Sequence, residues 1–139
     1  MPVVSYFEAG TILTLNHGHA ALLGAFGMLA MALLVMGLRH VLTDAQWVLP
    51  EKLIKISFWG MNIGLALMVV TNLFPEGILQ IWDVLEHGYW HARSLEFMGQ
   101  ERIRLMEWIS MPSHMILIFL GVVPMVGAAM LTYLRMRNA

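Results

Sequence analysis

Two histidines, His17 and His19, are the residues whose type and spacing point most directly to chemistry. They lie in the stretch LTLNHGHAALLG, which contains no charged residue. An imidazole in an apolar setting costs free energy unless its ring nitrogens find partners. Each residue of an α-helix is rotated by about 100° from the one before, so these two side chains point about 200° apart. They cannot chelate one metal ion, which needs ligands three or four positions apart on one face. As ligands, they would serve two different cofactors.

Heme is a cofactor that suits this arrangement, because imidazole is a standard axial ligand of heme iron. Two hemes could then lie on either side of one helix. The His17 side carries a stripe of small residues, namely Ala20, Ala21, Gly24 and Gly27. This stripe could receive a flat macrocycle, or equally a neighbouring helix, since small residues let membrane helices approach closely. A structural hydrogen bond for each histidine is the alternative, although ionisable residues within membranes tend towards function.

The composition indicates that these histidines lie in a membrane helix. Hydrophobic residues make up 59% of the 139 residues and charged residues 12%, against about 25% charged in ordinary globular domains. Asp, Glu, Lys and Arg are absent from 9–38, 56–75 and 108–134. About 20 apolar residues suffice to span a bilayer. We therefore expect an all-α membrane protein with a single domain over 1–139. The expected transmembrane helices lie at about 10–38, 54–75 and 108–134.

Three prolines set the expected limits of the second and third helices. Pro75 closes the second uncharged run, Pro112 lies near the start of the third, and Pro124 lies within it. Membrane helices tolerate such prolines, because neighbouring groups satisfy the freed carbonyls. We expect the second helix to end at Pro75 and the third to bend at Pro124.

The distribution of basic residues predicts the orientation. Connection 39–55 and the C-terminal end together carry five: Arg39, Lys52, Lys55, Arg135 and Arg137. Connection 76–107 carries Arg93, Arg102 and Arg104. The positive-inside rule places the first connection and the C-terminus in the cytoplasm, with the N-terminus outward. Residues 1–9 contain no Lys or Arg, so we expect no signal peptide. No basic tract suggests nucleic acid as a partner, and the absence of cysteine excludes thiolate metal sites.

Other polar residues have weaker patterns. His87 and His91 are four apart with Glu86 adjacent, a spacing that could chelate a metal on a helix, whereas a solvated loop is the alternative. His114 is expected to be structural, and Asn62 and Asn72 are expected to form hydrogen bonds between helices.

The longer patterns resemble the catalytic subunit of bacterial nitric-oxide reductases, of the quinol-dependent single-subunit kind, within the heme–copper oxidase superfamily. YFEAGTILTLNHGHAALLGAFGMLAMALLV resembles its tenth core helix. FWGMNIGLALMVVTNLFPEGILQIWDVLEHGYWHARSLEF resembles the eleventh helix and the following loop, and EWISMPSHMILIFLGVVPMV resembles the twelfth. The resemblance implies three helices of a heme–copper oxidase subunit I-like bundle in a bacterial inner (plasma) membrane.

The resemblance also implies roles for particular residues. His17 would ligate the iron of a high-spin b-type heme, and His19 would be one axial ligand of a low-spin b-type heme iron. Arg93, in the loop after the second helix, is a candidate contact for heme propionates. The sequence departs from the family at Pro112-Ser113-His114, where the family has Pro-Gly-Asp. The helices that carry the second low-spin ligand and the non-heme iron ligands have no counterpart in this sequence.

These implications lead to an expected function with open alternatives. The chain is expected to be the C-terminal part of a respiratory nitric-oxide reductase, inactive alone, with quinol or cytochrome c as electron donor. Its partners would be the remaining helices of the catalytic subunit and membrane lipid. The alternatives are a terminal-oxidase fragment similar to cytochrome c oxidase subunit I, a small heme-binding electron carrier of the membrane, and an inactive remnant.

Overall fold

Three long helices dominate the computed structural model, which describes residues 8–137. Helix α1 spans Ile12–His40, and helix α2 spans Asp44–His87. A 3₁₀ turn at His91–Arg93 and the short helix α3, Leu95–Met98, lead to helix α4. Helix α4 spans Glu101–Arg137. All three long helices are long and apolar enough to cross a membrane. The prediction of an all-α membrane protein with three such helices is confirmed.

The long helices contain three segments with wider, π-helical turns: His19–Gly27, Val69–Leu73 and Ile116–Val122. The second segment directly precedes Phe74 and Pro75, and the third directly precedes Val123 and Pro124. A proline lacks the N–H that an α-helix would use, and a π turn changes the bonding partners locally so that the helix can continue.

Two expectations about prolines are therefore wrong. Helix α2 does not end at Pro75 but continues to His87. Pro112 is not near the start of the third helix, because α4 begins at Glu101. Pro124 does lie inside α4. The first connection is also shorter than expected, because only residues 41–43 separate α1 from α2. The prediction about a signal peptide falls largely on residues 1–7, outside the described part of the chain.

Helices α2 and α4 pack closely at a line of glycines. A Cβ at Gly60 would overlap the backbone of Leu120, and one at Gly64 would lie 2.8 Å from the backbone nitrogen of Leu117. Nearby, the buried Ser57 hydroxyl donates a hydrogen bond of 2.6 Å to the Gly121 carbonyl. Small residues allow such approach between membrane helices, where van der Waals packing and hydrogen bonds drive association. Helix α1 contacts this pair mainly through α2.

Replacing Gly60 by alanine should destabilise the chain, because the backbone of Leu120 leaves no room for a methyl group. Overpacking of this kind costs about 1–3 kcal/mol. Gly37→Ala is the matched control, since a Cβ at Gly37 would meet no atom within 4 Å. Thermal unfolding in detergent, followed by tryptophan fluorescence, should show a lower midpoint for Gly60→Ala and an unchanged or slightly higher one for Gly37→Ala. Equal midpoints for Gly60→Ala and the unmodified chain would contradict the packing described for α2 and α4.

Candidate functional site

His17 and His19 border two different surface depressions of α1. The depression at His17, of about 370 Å³, also includes Glu8. The depression at His19, of about 360 Å³, extends along the helix to Leu22. Thr14 borders both depressions. The two imidazoles therefore face separate spaces, a disposition suited to two ligands for two groups and unsuited to one shared metal ion.

The imidazole of His19 is oriented by the backbone of its own helix. Its Nδ1 lies 2.8 Å from the carbonyl oxygen of Leu15. A carbonyl only accepts hydrogen bonds, so Nδ1 is the donor, and in the neutral ring Nε2 keeps a lone pair. Metal-bound histidines usually donate their second ring N–H to a carbonyl, carboxylate or water in this way. His40 and His114 make the same bond four residues back, at 2.9 Å. The bond therefore orients the ring as a metal ligand would need. Because other histidines make the same bond, it does not by itself identify His19 as a ligand.

The sides of α1 around the histidines are open and apolar. A Cβ at Gly18, between them, would meet no atom within 4 Å. The side chains of Leu22 and Phe26 are 67% and 65% exposed, and the most apolar window of α1 contains no buried residue. A flat, largely apolar macrocycle needs an imidazole with a free nitrogen beside uncovered apolar surface, so the residues present fit heme. Of the small-residue stripe, Gly24 faces a neighbouring helix, because a Cβ there would lie 3.3 Å from the Leu65 side chain of α2.

The start of α1 is attached to α2 through Gln80, whose residue surface is only 3% exposed. The Ile12 N–H donates to Gln80 Oε1 at 2.6 Å. Gln80 Nε2 in turn donates to the carbonyl of Ala92 at 3.0 Å. Beside this bridge, Leu13 packs so closely on Gly77 that a Cβ there would lie 3.0 Å from Leu13 Cβ. One amide thus joins α1, α2 and the following turn, two helical turns or less from the histidine pair.

Arg93, in the turn after α2, also holds the start of α1 in place. Its guanidinium donates to the carbonyls of Tyr89, at 2.5 Å, and Ala9, and it lies 3.3 Å above the centre of the Tyr89 ring. The Tyr89 hydroxyl also donates to the Ala9 carbonyl, at 3.1 Å. Gly10 has a positive φ of 73°, so its lack of a Cβ permits the turn that presents Ala9. The buried Nε of Arg93 has no hydrogen-bond partner among the described residues.

A second group of ionisable side chains lies at the end of α2. Asp83 Oδ1 is 3.0 Å from His87 Nδ1, and Asp83 Oδ2 is 2.7 Å from His91 Nδ1. The two histidines are adjacent, but they do not share the helix that the chelating spacing would require, because α2 ends at His87 and His91 lies in the following turn. Glu86 does not belong to the group, because it accepts a hydrogen bond from Trp82 Nε1 at 2.6 Å. Sequence reasoning missed Asp83, because His91 lies beyond the end of α2 and reaches the carboxylate only through the turn at Gly88.

Two asparagines of α2 form local bonds. The Asn62 amide donates to the carbonyl of Phe58, four residues earlier in the same helix. Asn72 donates at 3.0 Å to the buried carboxylate of Glu76, also within α2. The expectation that both asparagines bond between helices is therefore wrong, because each has a nearer acceptor one turn away.

Comparisons with known proteins give two findings. The family profile described as Cytochrome C and Quinol oxidase polypeptide I matches residues 1–116. A curated relative, a nitric oxide reductase subunit of Stutzerimonas stutzeri, is 31% identical over 83 residues. That match covers 57% of this chain and 17% of the relative, so the chain spans a small part of its length. The family resemblance predicted from the sequence is confirmed.

Replacing Gln80 by leucine should release the start of α1. The change leaves the Ile12 N–H and the Ala92 carbonyl without their partner, and an unmade buried hydrogen bond costs about 1–3 kcal/mol. Hydrogen–deuterium exchange should become faster in the first turn of α1. Asn62→Leu is the control, because that exposed amide bonds only within its own helix. Equal protection of the first turn in Gln80→Leu and Asn62→Leu would refute the attachment.

Proposed function

Because the chain belongs to the Cytochrome C and Quinol oxidase polypeptide I family, we propose that it is the heme-ligating C-terminal part of a nitric-oxide reductase catalytic subunit. The observation that carries the proposal is that His17 and His19 border separate depressions on one uncovered helix. Nitric-oxide reduction is favoured over oxygen reduction by the 31% identical relative, which is named as a subunit of nitric oxide reductase.

In this proposal each histidine holds a different heme iron. His17 would bind the iron of a high-spin b-type heme, and His19 would bind the iron of a low-spin b-type heme. When bound, these groups supply the redox chemistry for converting two NO, two electrons and two protons into N₂O and water. The chain's own contribution is axial ligation, burial and local polarity, the means by which a protein tunes such cofactors.

The residues around the pair would set its position and orientation. The Leu15 carbonyl fixes the ring of His19 with Nε2 free for iron. Gln80 and Arg93 hold the start of α1 against α2 and the following loop. These bonds fix the position of both histidines relative to α2. Arg93 is the candidate contact for a heme propionate in this proposal, since guanidinium–carboxylate pairing is strong.

The other helices of the catalytic subunit would complete the site. They would supply the second axial ligand of the low-spin heme and the ligands of the non-heme iron. The assembly would lie in the bacterial plasma membrane, with the start of α1 outward and the end of α4 cytoplasmic, as the distribution of basic residues favours. Quinol or cytochrome c would donate the electrons.

The proposal is tested by complementation of the relative. The nitric oxide reductase protein of Stutzerimonas stutzeri, lacking the segment that this chain matches, is co-expressed with the chain, and optical and EPR spectra of the purified assembly are recorded. His17→Ala should remove the high-spin heme signal and leave the low-spin one, whereas His19→Ala should do the reverse. Each change removes one axial ligand and leaves the other untouched, because the two side chains face different spaces.

The matched control is His114→Ala, since His114 is a histidine on another long helix with the same bond to its own backbone. Both heme signals should survive that change. Loss of one and the same signal in the His17 and His19 variants, or loss of either signal in the His114 variant, would overturn the assignment. A six-coordinate low-spin spectrum from the chain alone would favour the electron carrier, and oxygen consumption without NO reduction would favour the terminal oxidase.

A further inference from the structure

The group formed by Asp83, His87 and His91 lies outside the proposed heme site. One potential ligand atom from each residue lies within 4.8 Å of the other two. Both Nδ1 atoms face the same carboxylate, one at each oxygen. The rings of the two histidines are also adjacent, with centroids 4.9 Å apart. Three donors from two elements therefore converge on one point at the end of α2.

The burial of Asp83 also points to a bound ligand. Its side chain is 4% exposed, whereas those of His87 and His91 are 55% and 29% exposed. A buried carboxylate needs a counter-charge or a metal ion to offset its desolvation. Within residues 8–137, Asp83 pairs with these two histidines and with no lysine or arginine. The site thus has a buried carboxylate on one side and two partly exposed imidazoles on the other.

We propose that Asp83, His87 and His91 bind a divalent transition-metal ion of the zinc class. Two imidazole nitrogens and one carboxylate oxygen are a ligand set that suits Zn²⁺, with a fourth position left for water. Imidazole nitrogen also disfavours Mg²⁺ and Ca²⁺, which prefer oxygen ligands.

Binding requires a rearrangement of the group, in which the metal ion takes the place of the protons that the two Nδ1 atoms share with Asp83. Zn–N bonds of about 2.0–2.1 Å in a tetrahedral site place ligand atoms about 3.4 Å apart. The two Nδ1–carboxylate distances, 3.0 Å and 2.7 Å, must therefore lengthen, and the widest separation, now within 4.8 Å, must shorten. The half-exposed ring of His87 has room to rotate, and the His91 ring is carried by the turn His91–Arg93. Gly88, between them, has a φ of 91°, so the chain reverses there and brings His91 back towards Asp83.

A metal ion here would tie the end of α2 to the turn that contains Arg93. Arg93 in turn holds the Ala9 carbonyl at the start of α1. The ion would therefore act on the position of α1 from a distance, without contacting His17 or His19. Its effect on stability is measurable with or without heme.

The test is titration of the full chain in detergent with ZnCl₂, by isothermal calorimetry and thermal unfolding, after removal of any polyhistidine tag. We expect saturable binding at this site with a raised unfolding midpoint, and zinc X-ray absorption showing imidazole and oxygen ligands. His87→Ala and His91→Ala should each weaken this binding at least about tenfold, since even outer-shell changes cost 10–100-fold. His87→Ala is the more informative variant, because this exposed side chain can be removed without opening the protein interior.

His40→Ala is the matched control, because His40 is an exposed histidine at the far end of α1 with a bond only to its own helix. It should bind Zn²⁺ as the unmodified chain does. Absence of saturable binding by the folded chain, or equal affinity in His87→Ala and the unmodified chain, would overturn the proposal. Saturation by Mg²⁺ or Ca²⁺ at the same concentrations would contradict the assignment to the zinc class.

Discussion

The hydrogen bonds of Gln80 are the interaction on which the geometry of the histidine pair depends. Helix α1 buries no residue of its most apolar window, so packing along its length does little to fix it. Its position is set at one end, where Gln80 joins the Ile12 N–H to the Ala92 carbonyl. A buried amide with both of its ends satisfied specifies one arrangement, because any displacement leaves a donor or an acceptor unpaired. Arg93 reinforces the same end through the Ala9 carbonyl.

Helices α2 and α4, unlike α1, are fixed by close packing against each other. Gly60, Gly64 and Gly121 bring the two backbones together, and Ser57 donates across the contact. Helix α1 contacts this pair mainly through α2, and its most apolar window contains no buried residue. If His17 and His19 bind two hemes, as proposed, both sides of α1 must stay open until the cofactors and the remaining helices are in place.

Much of this arrangement could be predicted from the sequence. The uncharged runs gave the three long helices, and the H-G-H spacing gave two side chains that face different spaces. The helix limits could not be predicted so well, because each π turn before Pro75 and Pro124 depends on local hydrogen bonding that composition does not show. The roles of Gln80 and Asp83 were missed for a related reason. Their partners at Ile12 and His91 lie 68 and 8 residues away, and a turn at Gly88 is needed to bring His91 back.

The central claim is that α1 presents two imidazoles to two different hemes. A cryo-EM structure of the chain assembled with the remaining helices of a catalytic subunit and loaded with heme tests this most directly. The account predicts two macrocycles on different sides of α1, with the iron of one bound to His17 and the iron of the other bound to His19. A single macrocycle at α1, or iron bound to neither histidine, would contradict it.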